Sequence, residues 1–221
     1  MASVPVTNMV TNGDFANNTI GYNGWKIRLA DGTDVTISDP IDKYYWYSKD
    51  KNNEQYHKNK YGLALKIFDE HPFLQATQNI TFQANHKYYV HFYARNSGYS
   101  DKEPEAGVQI RYNNTVRASQ HFANIGSKWG HGRAARLDLG DLGGNRFVIY
   151  GQKDNTEGYV YLDEIVVVDL TSLYGAGNEP SAEQFESKTS GLEYFWNGTV
   201  FLNLALPAPD IVECTKSRMS E

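Results

Sequence analysis

The chain has 221 residues, a formal net charge of −5 with both signs interspersed, sixteen tyrosines, nineteen glycines and one cysteine. That length buries one sizeable core, or one core with an appendage. The composition excludes a basic nucleic-acid surface, an intrachain disulfide and a cysteine-based zinc site; no 18-residue apolar run marks membrane insertion.

In chain order, residues 8–29 read as an entry strand, an Asn12-Gly13 turn and a second strand beginning at Trp25. Residues 40–61 form a polar loop region headed by four consecutive aromatics, Tyr44 to Tyr47. Leu63, Leu65 and Ile67 alternate as a strand, and a turn at Asp69 to Pro72 follows. Lys87 to Arg95 gives the clearest strand, with Tyr88, Val90, Phe92 and Ala94 on one side and Tyr89, His91, Tyr93 and Arg95 on the other. Strands are expected around Val108 and Ile110, over Trp129 to Leu139, over Arg146 to Gln152 and over Tyr159 to Leu170. Frequent Asn, Asp and Gly between them point to an all-β, two-sheet antiparallel sandwich. We place the sandwich at residues 1–170.

Residues 171–221 form a small appendage. Ser181 with Gln184 three residues on is a capping box for a short helix to about Lys188, and Pro180 cannot continue a preceding helix. Gly191 to Asn203 reads as a hairpin turning at Asn197-Gly198. So small a piece must pack on the sandwich or on a neighbouring subunit.

Catalytic motifs are missing: there is no H-E-x-x-H, no G-x-S-x-G and no phosphate loop. Ser48 and Lys51 fit S-x-x-K by accident in a charged loop. The stronger constellation combines aromatic rings with planar polar groups. Flat rings cover the apolar C–H faces of sugars, while Arg, Gln and His bind the hydroxyl rim. If Tyr88, Val90 and Phe92 face the core, then Tyr89, His91, Tyr93 and Arg95 lie outside. Gln109 and Arg111 are expected to join them from one neighbouring strand, and Arg146, Tyr150 and Gln152 from another. Tyr45 and Trp46 in the aromatic run form a second candidate contact. A solvated sheet face or a subunit contact explains the same outward residues equally well.

Two stretches carry a family resemblance. Asn8-Met-Val-Thr-Asn-Gly-Asp-Phe-Ala16 followed by Gly24-Trp25, with Tyr161-Leu-Asp-Glu-Ile-Val-Val-Val168 at the far end, resembles carbohydrate-binding modules of the family 4, 9 and 22 type over residues 8–170. The resemblance implies a jelly roll with ligand on a concave sheet face. It places Tyr93, Arg146 and Tyr150 on that face and Phe73 near a stacking position. It also implies a structural Ca²⁺ held by Asp163, with Asp14 as substitute where Ala16 replaces the family's carboxylate. The run Asp169-Leu-Thr-Ser-Leu-Tyr-Gly-Ala-Gly-Asn-Glu-Pro-Ser-Ala-Glu-Gln-Phe-Glu186 resembles a module of structural and receptor-binding proteins of tailed bacteriophages.

Together these imply a non-enzymatic virion protein made in a reducing bacterial cytosol, with no secretory leader at its N-terminus. Its partners would be host cell-wall or surface polysaccharide, other virion structural proteins and further copies of itself in a homo-oligomer. A second reading stays open: a structural or decoration component that uses the sandwich only as a scaffold.

Overall fold

A computed structural model of the chain describes residues 4–15, 24–35, 45–47, 62–98, 104–129, 132–153, 158–189 and 199–202. Tyr44, the Ser48–Lys51 motif, the Asn197-Gly198 turn and the strand expected before it lie outside these residues.

The described chain is an antiparallel sandwich. One sheet orders its five strands as β2 (Lys26–Leu29), β5 (Phe73–Gln78), β10 (Arg146–Gln152), β7 (Glu105–Tyr112) and β8 (Thr115–Phe122). The other orders β3 (Tyr45–Tyr47), β4 (Leu63–Ile67), β11 (Gly158–Asp169), β6 (Lys87–Gly98) and β9 (Arg133–Asp138). Two helices, α1 (Leu170–Tyr174) and α2 (Ala182–Thr189), follow; β12 (Thr199–Leu202) then pairs with β1 (Val4–Thr7).

The expected alternation sets the core. Val90 and Phe92 of β6 meet Leu63, Leu65 and Ile67 of β4, Val160 and Leu162 of β11, and Val108, Ile110, Phe147 and Ile149 of the facing sheet. Tyr88 is also inside. Its hydroxyl accepts from the Gln83 amide at 2.7 Å, and burial pushes its pKa up to about 12. The side chains of one strand face thus fill the space between the sheets, as period-2 alternation requires.

In β11 a bulge changes which residues point inward. Pairing with β6 shifts register between Asp163 and Val166, and Glu164 takes φ 51°. Before the bulge Val160 and Leu162 face the sandwich; after it Ile165 and Val167 do. Val166 and Val168 are turned to the opposite surface, where a second apolar cluster forms with Val6, Tyr89, Leu170, Tyr174, Ala182 and Phe185. The Ile-Val-Val-Val run is therefore buried on both faces, which explains its unbroken hydrophobicity.

Through that second cluster the C-terminal module packs on the outer face of the β6 sheet. Asp169 caps α1 by accepting from the Ser172 amide at 2.9 Å and faces His86 Nδ1 at 2.9 Å. Gly175, at φ 82°, ends the helix, and its amide donates to Thr171 O at 2.9 Å. Glu179 accepts from Lys87 Nζ at 2.9 Å and from Thr171 Oγ1 at 2.7 Å. The capping box forms as expected: the Ser181 amide donates to Gln184 Oε1 at 2.9 Å, and the Gln184 amide to Ser181 Oγ at 3.2 Å.

Candidate functional site

The expected joint surface does not form. β6 belongs to one sheet, whereas β7 and β10 belong to the other, so Tyr89, His91, Tyr93 and Arg95 are separated by the whole core from Arg111, Arg146, Tyr150 and Gln152. Alternation fixes which face of a strand a residue takes; it does not fix the sheet.

The β6 row is partly sealed by the chain itself. Tyr89 is buried under Phe185 with ring centroids 4.7 Å apart, and its hydroxyl donates to Glu186 Oε1 at 3.3 Å. Burial first, then the Glu186 carboxylate, raises its pKa. His91 stacks beside Tyr89 and meets Tyr93 edge-on at 5.1 Å. Arg95 lies over Tyr161 at 4.2 Å and over Trp129 at 5.6 Å, and donates to Ser127 O at 3.3 Å. Tyr89 is thus a docking residue for the appendage rather than a ligand contact, which corrects the sequence-based expectation. Tyr45 and Trp46 sit on β3, the edge strand of this same sheet, opposite Leu65 and Ala64 of β4.

The outer face of the other sheet gathers the remaining candidates. Cross-strand register places Arg28, Gln75, Tyr150, Gly107 and His121 in one row. Phe73, Gln152 and Glu105 form the next row, and Arg146 stands opposite Arg111 beyond Val148. Gln75, Thr77, Val148 and Tyr150 are buried and make a floor. Arg28, Phe73, Arg111, Arg146 and Gln152 are half-buried around it, and His121 is exposed. At the β2–β5 side, Lys26 and Thr77 line a cleft of about 320 Å³ shared with Met9, Thr11 and Gln78.

Tyr150 organises this face. Its ring lies 4.8 Å from Phe73 and 6.3 Å from His121, the latter nearly parallel at 14°. His121 Nδ1 is 3.3 Å from the Tyr150 hydroxyl, and its Nε2 is 2.6 Å from Glu105 Oε2. The position opposite must be glycine, because a methyl group at Gly107 would overlap the phenol ring. Burial, with a smaller push from Glu105, raises the Tyr150 pKa, while Arg111 opposes the rise. Only 4% exposed, Tyr150 lies on this face as a supported floor. Phe73 and His121 present the accessible ring surface. His121 and Glu105 were missed in the sequence, where nothing marks a histidine on a polar strand as facing a tyrosine two strands away.

Asp14 and Asp163 are both buried, and the Ile165 amide donating to Gly13 O at 3.0 Å ties their segments together. Asp163 Oδ1 accepts from the Glu164 amide at 2.8 Å, a local capping role. The donor atoms are hard oxygens, the kind Ca²⁺ takes, but it needs six to eight of them. Among the described residues no group of three or more His, Cys, Asp or Glu converges where a metal can sit. An ion here would rest on two carboxylates and on backbone carbonyls.

No family model and no curated protein matches the chain. Among solved structures it is similar to TmCBM61 in complex with beta-1,4-galactotriose, at 12% identity over 72% of this chain and 97% of that one, TM-score 0.48. It is also similar to a family 16 carbohydrate binding module, at 17% over 73% and 99%, TM-score 0.49. A third is the enzymatically active domain of bacteriophage CBA120 tailspike protein 4, at 17% over 74% of this chain and 21% of that one, TM-score 0.48.

Proposed function

We propose that the protein is a non-enzymatic adhesion or accessory component of a bacteriophage particle that binds host-surface saccharide on the outer face of the β2–β5–β10–β7–β8 sheet. The observation that carries this reading is the convergence of Phe73, Tyr150 and His121 with Arg28, Arg111, Arg146, Gln75, Gln109 and Gln152 on one face. Rings for C–H faces and planar groups for hydroxyls are then supplied side by side. A shallow site of this kind gives about −4 to −8 kcal/mol, or mM to μM affinity. Many copies on one particle raise that by roughly 10²- to 10⁴-fold without new contacts. Attachment to other virion proteins and homo-oligomer assembly belong to the same proposal, and Phe201 of β12, 70% exposed, marks a surface for either. A Ca²⁺ ion held by Asp14 and Asp163 would brace the N-terminal segment against β11.

The test is saturable retention on immobilised glycans and host cell-wall fractions. Phe73→Ala and Arg146→Ala proteins that remain folded lose retention; if both bind as the parent does, this face is not the site. An absence of any saturable binding by the parent favours the scaffold reading.

A further inference from the structure

The charges on this face are unevenly paired. Lys26, Arg28, Arg111 and Arg146 occupy it, against Asp34 and Glu105, although the whole chain carries −5. Asp34 is taken up by Arg28 at 2.6 Å and Lys26 at 3.2 Å. Glu105 is taken up by His121 at 2.6 Å. Among the described residues neither Arg111 nor Arg146 is in an ion pair, although Asp34 acts on Arg146 from its place beside Arg28, and the two arginines stand directly opposite each other on adjacent strands.

Their other contacts are neutral. Arg111 Nε donates to Gln109 Oε1 at 2.7 Å, and Arg146 donates from one terminal nitrogen to Asn113 O at 3.1 Å. Arg146 Nε is buried and has no hydrogen-bond partner among the described residues. Like charges directly opposite on neighbouring strands destabilise a sheet. Burial lowers both guanidinium pKa values, and repulsion adds to it, from Arg146 on Arg111 and from Arg28 on Arg146, while Tyr150 opposes the fall at Arg111 and Asp34 opposes it at Arg146. An anion seated between the two forks removes that repulsion and meets both guanidiniums with charge-assisted bonds. Arginine's planar fork suits carboxylate and phosphate alike.

We propose that the glycan taken by this face is acidic, with its carboxylate or phosphate held between Arg111 and Arg146. The inference rests on the saccharide reading above and names its substrate class.

Binding of the full chain to three immobilised probes tests it: oligogalacturonate, its fully methyl-esterified counterpart, and poly(glycerol phosphate). The expected result is binding to an acidic probe over the ester, weakened as salt rises toward 1 M, where screening reaches about 3 Å. Arg111→Gln and Arg146→Gln each weaken it roughly 10- to 100-fold. Arg146→Lys, which keeps the charge but not the fork, falls between and guards against a misfolded Gln variant. Preference for oligogalacturonate or for poly(glycerol phosphate) tells which anion the site takes. Equal binding to acid and ester, indifferent to both Arg→Gln changes, overturns the acidic assignment and leaves saccharide binding standing. Failure of the parent to bind either acidic probe, while it is still retained on host cell-wall fractions, overturns the acidic assignment alone; failure on the wall fractions as well overturns both.

Discussion

Glu179 is the polar anchor of the C-terminal module, and its replacement by glutamine gives a pH-dependent loss that follows from its surroundings. Its side chain is 1% exposed against Lys87. Burial alone would raise the carboxyl pKa, but hydrogen bonds from Lys87 and Thr171, its own backbone amide and the Lys87 charge outweigh it and hold the value at about 2, from an ordinary 4.5. A carboxylate depressed in the folded state contributes stability above its unfolded pKa and loses it as pH falls toward the folded value. The shift corresponds to about 3 kcal/mol at neutral pH, of which roughly half is lost by pH 3. Glu186 acts in the opposite sense: burial raises its pKa, partly countered by the Tyr89 hydroxyl and reinforced by Glu183, so acid favours its folded form. Comparing the parent with Glu179→Gln at each pH cancels Glu186 and isolates Glu179. The assay is native-state hydrogen exchange at the Gly175 and Phe185 amides, which donate to Thr171 O and Ser181 O within the module. The parent should be better protected by about 3 kcal/mol at pH 7, with roughly half that gap at pH 3. A gap that is absent at pH 7, or equal at both values, refutes the reasoning.

Phe185→Ala empties the centre of the second cluster, where the ring is 2% exposed, and should cost about 3–5 kcal/mol by denaturant unfolding. Gly107→Ala pushes the Tyr150 ring from its seat against Phe73 and His121; about 1–3 kcal/mol of destabilisation should accompany a loss of glycan retention, read by thermal melting and affinity electrophoresis. Added Ca²⁺ should raise the melting temperature of the parent and not of Asp163→Asn, with EDTA reversing the rise; an unchanged parent curve removes calcium from the proposal.

What was legible in the sequence follows the range of the forces involved. The β6 alternation, the Ser181–Gln184 box and the Asp169 strand end depend on neighbours within a few residues, and the structure has them as read. β8 was not anticipated. Its Thr-Val-Arg-Ala-Ser-Gln-His-Phe run is mostly polar because only Ala118 and Phe122 pack on the core, and a bulge at the Arg111 pairing breaks its period. Phe73 was anticipated as a contact, but not the strand it begins. The sheet membership of β6 and β7 was illegible for a deeper reason. They follow one another in the chain yet cross between layers, and the partners that decide this lie far away, β11 for one and β10 for the other. His121 meeting Glu105 and Tyr150 is a consequence of the same long-range pairing.

The two outer faces differ in kind, and that difference determines which one the C-terminal module covers. Beyond the bulge, β11 turns Val166 and Val168 outward beside Tyr89, making a patch that water covers at a cost. Burying such side chains contributes about 1.5–3 kcal/mol each, and the module supplies Leu170, Tyr174 and Phe185 to do it. The opposite sheet turns out Arg28, Gln75, Gln109, Arg111 and Gln152 over a floor that is already packed. An apolar cap placed there would strand guanidinium and amide groups without partners, a penalty of about 1–3 kcal/mol per group and more for the charged ones. The chain's own apolar appendage is therefore stable on one face only. A polar, hydroxylated or anionic ligand is the kind of cover that the other face can accept without that penalty.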